Sequence, residues 1–258
     1  MDGRPARQRI LITGASSGLG AGMARLFAER GRDLALTARR TDRLEALRAE
    51  LLAVNPTISV AIHHLDVDDH DAVFTVFERC RDELGGLDRV VVNAGLGKGA
   101  RIGSGRFDAN RQTAMTNFVS ALAQCEAAVQ ALTTGGGHLV VISSVTAARG
   151  MPGAMTTYAA TKAGIAALAE GIRADQLRRP VGTDAVAVST LFPGYIASEM
   201  NEQVAHTVRH MVDTETGCRA MVDAIEREVD TAAVPSWPWR VVMPMLRYAP
   251  LRWVRRLL

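Results

Sequence analysis

The stretch 142–164, ISSVTAARGMPGAMTTYAATKAG, places Tyr158 four residues before Lys162, with Ser143 and Ser144 upstream. On a helix a spacing of four stacks both side chains on one face, so an ammonium can sit beside a phenol and favour its ionised form. A free tyrosine ionises with a pKa of about 10. A neighbouring cation lowers that value and makes the phenol a proton donor and acceptor. Chance is a poor account of the pair. The chain has three tyrosines and two lysines, Lys98 and Lys162, against 28 arginines, which puts a random Tyr-x-x-x-Lys at roughly 0.02.

A second constellation lies near the N-terminus. Directly after the apolar run RILIT comes TGASSGLG, with Gly14, Gly18 and Gly20 where a helical pattern begins. Glycines at such a junction let the backbone turn tightly and approach a pyrophosphate, whose charge meets the N–H groups that open the helix. The next apolar run ends LALTARR, offering Arg39 and Arg40 with no acid until Asp42. An acid there would bind the ribose hydroxyls of NAD. Guanidinium groups suit a 2′-phosphate, so the pattern favours NADP(H) over NAD(H).

These groups need a scaffold that brings strand ends together. RILIT, LALTA, ISVAIHH, RVVVNAG, HLVVISS and AVAVSTLF read as strands, and longer amphipathic segments separate them. In TDRLEALRAELLAV, Leu44, Leu47, Leu51 and Val54 make one apolar stripe after an N-cap at Thr41 or Asp42. Strands apolar on both faces and joined by helices predict an α/β fold with a doubly wound parallel sheet of Rossmann type. The expected architecture is a single domain of about seven strands with helices on both faces. Residues 1–235 form the dinucleotide-binding catalytic domain, and 236–258 a basic amphipathic C-terminal extension.

Composition narrows the class. The 258 residues, 48% hydrophobic, can bury an ordinary core. Cys80, Cys125 and Cys218 are odd in number and form no Cys-x-x-Cys pair, so no disulfide framework or zinc site is expected and a reducing cytoplasm fits. No apolar run reaches the length of a membrane span. The net charge of +3 resides in the tail: residues 231–258 carry five arginines and no acid, while the first 230 hold 25 basic and 27 acidic residues. That balance argues against nucleic-acid binding. If 245–258 is a helix broken near Pro250, Leu246, Trp253, Val254 and Leu257 share a face with Arg252, Arg255 and Arg256 mostly opposite. Such a helix suits peripheral contact with an anionic membrane, a cover for the pocket, or a neighbouring subunit.

Two other runs are set aside. HHLDVDDHD, residues 63–71, is rich in metal-ligand types, but a strand-turn-helix junction seldom converges them, and Asp68 or Asp69 suits a helix N-cap. No metal is expected. Lys98, in GLGKGARIGSG, reads as a solvated lysine on a substrate-side loop.

Over roughly residues 8–235 the sequence resembles the short-chain dehydrogenase/reductase family. TGASSGLG matches its cofactor loop, LDV its adenine contact, NAG its fourth-strand motif and TNF its catalytic asparagine, followed in order by ISS, YAATK and PGYIAS. The resemblance implies cofactor contacts at Gly14, Ser16, Ser17, Gly18, Leu19, Gly20, Asp66, Val67, Asn93, Ala94 and Gly95. It further implies Pro193, Gly194, Ile196 and Ser198 at the nicotinamide. Asn117, Ser144, Tyr158 and Lys162 would then be catalytic, with Tyr158 the general acid or base and Lys162 depressing its pKa and holding the nicotinamide ribose. Asn117 would position a relay water, and a serine hydroxyl would bind the substrate oxygen.

The serine is where the chain departs from the family. The usual position, thirteen residues before the tyrosine, is Val145. Alignment from the strand side assigns Ser144 and puts one extra residue in AMTT, as a bulge between Gly153 and Thr157. Ser143, on the opposite face of an extended strand, is then a buried neighbour. The implied function is NADP(H)-dependent reduction of a ketone or aldehyde to an alcohol, or the reverse, by a cytoplasmic homodimer or homotetramer. Small residues Ala160, Ala163, Gly164 and Ala167 would permit close helix contact between subunits or, equally, packing within one chain. The alternatives are a reductase of long-chain or lipid β-ketoacyl groups at a membrane surface and a non-catalytic NADP(H)-binding sensor.

Overall fold

The computed structural model describes residues 7–132, 136–179, 185–197, 199 and 211–254, except the side chains of Trp253 and Val254. Seven short runs pair into one parallel sheet: β1 (Arg9–Thr13), β2 (Asp33–Ala38), β3 (Val60–His64), β4 (Arg89–Val92), β5 (His138–Ile142), β6 (Ala187–Pro193) and β7 (Thr231–Val234). Their order is β3-β2-β1-β4-β5-β6-β7. The central strands are apolar on both faces because helices cover both. On one side α1 (Gly18–Glu29), α2 (Thr41–Val54) and α7 (Thr214–Glu226) pack on Ile10, Ile12 and Val91. On the other, α3 (His70–Glu83), α5 (Ser120–Leu132) and α6 (Met155–Leu177) pack on Leu11, Val90 and Val92. Between them lie α4 (Phe107–Ala114), a π-helical turn at Met115–Val119 and a 3-10 turn at Val145–Ala148, while α8 (Ser236–Tyr248) and α9 (Leu251–Val254) come last.

The doubly wound expectation therefore holds, with local differences. β7 was not among the six runs read as strands: its TAAV is short and alanine-rich, and pairing with β6 from Thr190↔Thr231 to Pro193↔Val234 defines it. Arg40, not Thr41 or Asp42, is the cap residue of α2, with no side-chain capping bond, and Asp42 instead sits in the first turn against the helix dipole. Leu44, Leu47 and Leu51 are buried, but Val54, the last residue of the helix, is 58% exposed. Asp69 does cap α3, accepting from Ala72 N at 3.1 Å.

The strand order turns back between β1 and β4, and at such a switch point a crevice forms outside the carboxyl ends of the strands. The opposite edge is pinned by buried Arg89, whose Nε donates to His138 Nδ1 at 2.9 Å and whose Nη1 lies 3.3 Å from Glu226 Oε1. That leaves the carboxyl edge to carry the cleft.

Candidate active site

The cleft, of ≈ 860 Å³, begins where β1 gives way to α1. Thr13 Oγ1 accepts from Asn93 N at 3.0 Å and Ala94 N at 3.1 Å, and Asn93 Nδ2 donates to Thr13 O at 2.9 Å. The loops after β1 and β4 are thus tied into one floor. Gly14, at φ +66°, passes so close to this second loop that a Cβ would stand 2.9 Å from Ala94 Cα. A Cβ on Gly20 would strike Gly14 O and lie 2.8 Å from Asn93 Nδ2, so Gly20 backs the loop while Gly14 and Gly18 line the cleft. Ser16, Ser17 and Leu19 also line it, and the first turn of α1 carries no acid. A glycine-rich backbone cradle at the positive end of a helix fits a pyrophosphate.

Arg40 reaches back over this cradle, donating from Nη2 to Ser17 Oγ at 2.7 Å and from Nε to Ser16 Oγ at 3.3 Å. Its Nη1 also meets Glu199 Oε2 at 3.2 Å, and Arg43 pairs with the other oxygen of that carboxylate. Arg39 is looser, largely exposed with Nη1 4.0 Å from Asp66 Oδ2. Asp66 and Val67, just past β3, line the same end, as do Asn93, Ala94 and Gly95 past β4. Sequence reasoning missed Arg43 and Glu199. Arg43 was within reach of it, since it lies three residues after Arg40 and so on the same side of α2.

Deeper in the cleft α6 presents Tyr158 and, one turn on, Lys162. Lys162 Nζ donates to Ile142 O at 2.9 Å and stands 5.8 Å from the centre of the Tyr158 ring. The two serines part as an extended backbone requires. Ser144 stands close enough to the Tyr158 phenol to pull its pKa down, and it accepts from Thr146 N at 3.2 Å and Thr146 Oγ1 at 2.9 Å. Ser143 Oγ donates instead to Lys162 O at 2.8 Å. The bulge anticipated between Gly153 and Thr157 is absent: Gly153 turns at φ +67°, Ala154 caps the helix, and α6 runs on unbroken from Met155.

Asn117 sits in the π-helical turn, a local widening that often marks working residues. Its side chain closes a two-way bond with Leu96, accepting from N at 2.7 Å and donating to O at 2.8 Å. It thereby fixes the strand end at Gly95, where a Cβ would come within 3.2 Å of Asn117 Oδ1 and 3.6 Å of Lys162 Nζ.

The expected lowering of the Tyr158 pKa by Lys162 is not seen. Although its ring is partly open to the cleft, desolvation pushes Tyr158 up to about 12, with the Ser144 hydrogen bond pulling down and nearby Tyr195 adding a small upward push. Desolvation also brings Lys162 down to about 8. The lysine spends its contact on a strand carbonyl, so burial outweighs its charge at the phenol.

The far wall comes from the chain after β6. Pro193, Gly194 and Ile196 line the cleft, and Ser198 lies outside the described residues. Tyr195, unflagged by sequence, also lines it and packs against Trp239 of α8, ring centres 5.7 Å apart. The indole crowds Gly194 so closely that any Cβ there would clash, and its buried Nε1 has no hydrogen-bond partner among the described residues. The inner face of α8 continues with Leu246 against Met151 and Ala159. Leu246, placed by sequence on the apolar face of a tail helix, packs inward, while Leu257, Arg255, Arg256 and the Trp253 and Val254 side chains fall outside the description. The helix does break at Ala249–Pro250.

The remaining candidates resolve individually. In the 63–71 run, His63 Nε2 lies 3.3 Å from Glu83 Oε2, His70 meets Ser120 Oγ, and Asp68 accepts from Thr116 and Ser120. Among the described residues no group of three or more His, Cys, Asp or Glu could hold a metal ion. Lys98 is exposed on the cleft rim. Gly164, offered for contact between subunits, faces Phe118 of its own chain, 3.0 Å from where its Cβ would be.

Comparison with known proteins agrees with this geometry. The short chain dehydrogenase family matches residues 8–209. An uncharacterised oxidoreductase of Mycobacterium tuberculosis is 54% identical over 251 residues, covering 97% of each chain. Another from Myxococcus xanthus is 34% identical over 235 residues, covering 91% of this chain and 88% of its own. Among solved structures, an alcohol dehydrogenase from Thermococcus sibiricus complexed with 5-hydroxy-NADP superposes with a TM-score of 0.77 at 26% identity, over 89% of this chain and 97% of its own. With the glycine loop, the Tyr158–Lys162 helix and both serines inside the matched region, the chain belongs to the short-chain dehydrogenase family of nicotinamide-dependent oxidoreductases.

Proposed function

We propose that the protein is an NADP(H)-dependent carbonyl reductase, converting a ketone or aldehyde to an alcohol with Tyr158 as proton donor, and able to run in reverse. The observation that carries it is the meeting of Tyr158, Ser144 and Lys162 at the end of β5, beside the glycine cradle. Gly14, Ser16, Ser17, Gly18 and Leu19 would hold the pyrophosphate with Gly20 shaping their loop. Asp66 and Val67 would take the adenine, Asn93 to Gly95 the adjoining ribose side, and Pro193, Gly194, Ile196 and Ser198 the nicotinamide. Bound there, the cofactor supplies the hydride that reduces the carbonyl carbon.

The chain's own groups handle the proton. With its pKa near 12, Tyr158 carries its proton at neutral pH and can release it to the oxygen on which charge builds. Ser144 holds that oxygen in place. In oxidation the phenol must ionise, and the positive charge of an oxidised nicotinamide works with Lys162 to lower its pKa. Lys162 takes the ribose and returns the proton, and Asn117, by locking Leu96, keeps the strand end and its relay water aligned.

Arg40 supports the choice of NADP. It stands over Ser16 and Ser17 with Arg43 beside it, and the carboxylate of Glu199 lies between the two guanidinium groups as a phosphate would. The cofactor named for the Thermococcus sibiricus relative points the same way. The functional unit is a cytoplasmic homodimer or homotetramer in which residues 1–235 form the catalytic domain and the C-terminal extension is available to a membrane surface.

The test is NADPH and NADH binding and turnover on carbonyls graded by chain length. Tyr158→Phe should keep cofactor affinity and lose turnover by about 10³-fold, and Arg40→Ala should weaken NADPH at least tenfold and leave NADH nearly unchanged. Binding without turnover across the panel would instead make the protein a sensor, and a preference for NADH would overturn the NADP reading.

A further inference from the structure

Helix α8 has two apolar faces, and only one is covered. Trp239, Val242 and Leu246 face inward onto Gly194, Met155 and Met151. On the outside Val241, Met245 and Tyr248 are exposed at helical spacing, with Trp237 exposed at the kink that precedes them and Leu251 exposed beyond the break. The only charged residues among them are Arg240, Arg247 and Arg252, all exposed. Other surface helices look different: outward from α2 stand Asp42, Arg43, Glu45, Arg48 and Glu50, both signs mixed.

An exposed apolar row needs an occupant, and the charges choose among candidates. A second copy packed symmetrically on this face would gather Arg240, Arg247 and Arg252 of both copies, six guanidinium groups, with no acid in residues 231–258 and, in the hollow shared with Arg247 and Tyr248, one Glu170 from each copy to offset them. An anionic lipid surface satisfies both features: apolar side chains enter the acyl boundary, arginines meet the headgroups, and Trp237 and Tyr248 suit the interface between them.

We propose that the outer face of α8 docks the protein on an anionic lipid bilayer and holds the substrate end of the cleft against it. This sharpens the membrane contact to a face that excludes Leu246. The substrate end follows because the same helix, through Trp239 and Leu246, backs Gly194 and Tyr195 and packs against Met155 on the cleft wall. That second clause rests on the carbonyl-reductase reading; the docking does not.

Flotation of the full chain with phosphatidylcholine vesicles, with and without phosphatidylglycerol, tests it. Binding is expected only to the mixed vesicles and should weaken with salt. The pair Arg240→Gln and Arg247→Gln should cost about fivefold per arginine, and Val241→Ser with Met245→Ser about tenfold. Because these positions are exposed, NADPH affinity and turnover of a water-soluble ketone should stay within about twofold of wild type. Failure to bind either vesicle, equal binding to both, or variants that float normally but lose a dimer in size-exclusion would each overturn docking. Docking with no ketone turnover in wild type would overturn the substrate-end clause alone.

Discussion

Along the carboxyl ends of β1, β4 and β5 the cleft is held by hydrogen bonds aimed at backbone: Thr13 to the Asn93–Ala94 turn, Asn117 to both polar atoms of Leu96, Lys162 to Ile142 O and Ser143 to Lys162 O. The opposite wall shares this backbone bonding, Gly194 N to Val234 O at 2.9 Å and Val212 N to Tyr195 O at 3.1 Å, but the side chains it turns to the cleft, Tyr195 and Trp239, meet by ring contact, and the buried Trp239 Nε1 is unpartnered among the described residues. Directional bonds fix positions to tenths of an ångström, which proton transfer needs; apolar contacts allow repacking, which suits a surface that must fit a particular substrate. The floor should therefore govern turnover for every substrate, and the wall the affinity for some.

The serines give the sharpest test of the floor. Ser144→Ala removes the hydroxyl beside Tyr158 and should lower kcat by about 10²-fold with NADPH affinity retained. Ser143→Ala breaks only the bond to Lys162 O, at a cost of about 1 kcal/mol in denaturant unfolding and little change in kcat. Paired steady-state kinetics and urea melts separate the two. If Ser143→Ala were the inactive variant, the family register assigned to this strand would be wrong.

Lys162 offers a smaller and pH-dependent effect. Its ammonium persists below about pH 8, so a reduction that needs this charge should slow as pH rises through that value, by about tenfold per unit. Stability should run the other way. The folded-state pKa lies below the ordinary value of 10.5, so between about 8 and 10.5 the native state holds fewer protons than the unfolded chain and gains stability with pH. Lys162→Arg keeps its charge across this window and should remove both slopes, whatever its plateau rate. A rate that stays flat to pH 9.5 in wild type would detach the lysine's charge from the chemistry.

The same division of floor and wall explains what could be read from sequence. Gly14, Gly20, Tyr158 and Lys162 were legible because backbone approach and one-turn stacking leave spacings that survive in the linear chain. Six strands were legible from their apolar runs, but β7 is four residues of TAAV whose identity comes from its neighbour β6. The π-helical turn that presents Asn117 leaves no periodic trace, since one extra residue in a turn reads as ordinary helix. The upward shift that burial gives Tyr158 was not legible, because charge proximity can be inferred from Tyr-x-x-x-Lys, whereas the carbonyl that claims Lys162 belongs to a strand twenty residues away. Trp239 was invisible as a wall residue, for its partners Gly194 and Tyr195 lie over forty positions upstream and meet it only through the fold.

That wall yields the mildest prediction and the one that most directly breaks the comparison. Trp239→Phe keeps a ring near Tyr195 but opens space over Gly194, so the wall can relax without disturbing any hydrogen bond of the floor. The lost packing should raise KM for a bulky apolar ketone about fivefold, with KM for a small ketone and kcat for both within about twofold. Removing Nε1 should leave stability little changed or slightly raised, since a buried donor without a partner carries a desolvation cost of about 1–3 kcal/mol that the cavity left by the indole offsets. Were kcat instead to fall as far as in Ser144→Ala, for large and small substrates alike, α8 would have to be counted as part of the catalytic floor, and the indole as what holds Gly194 in register with Tyr158.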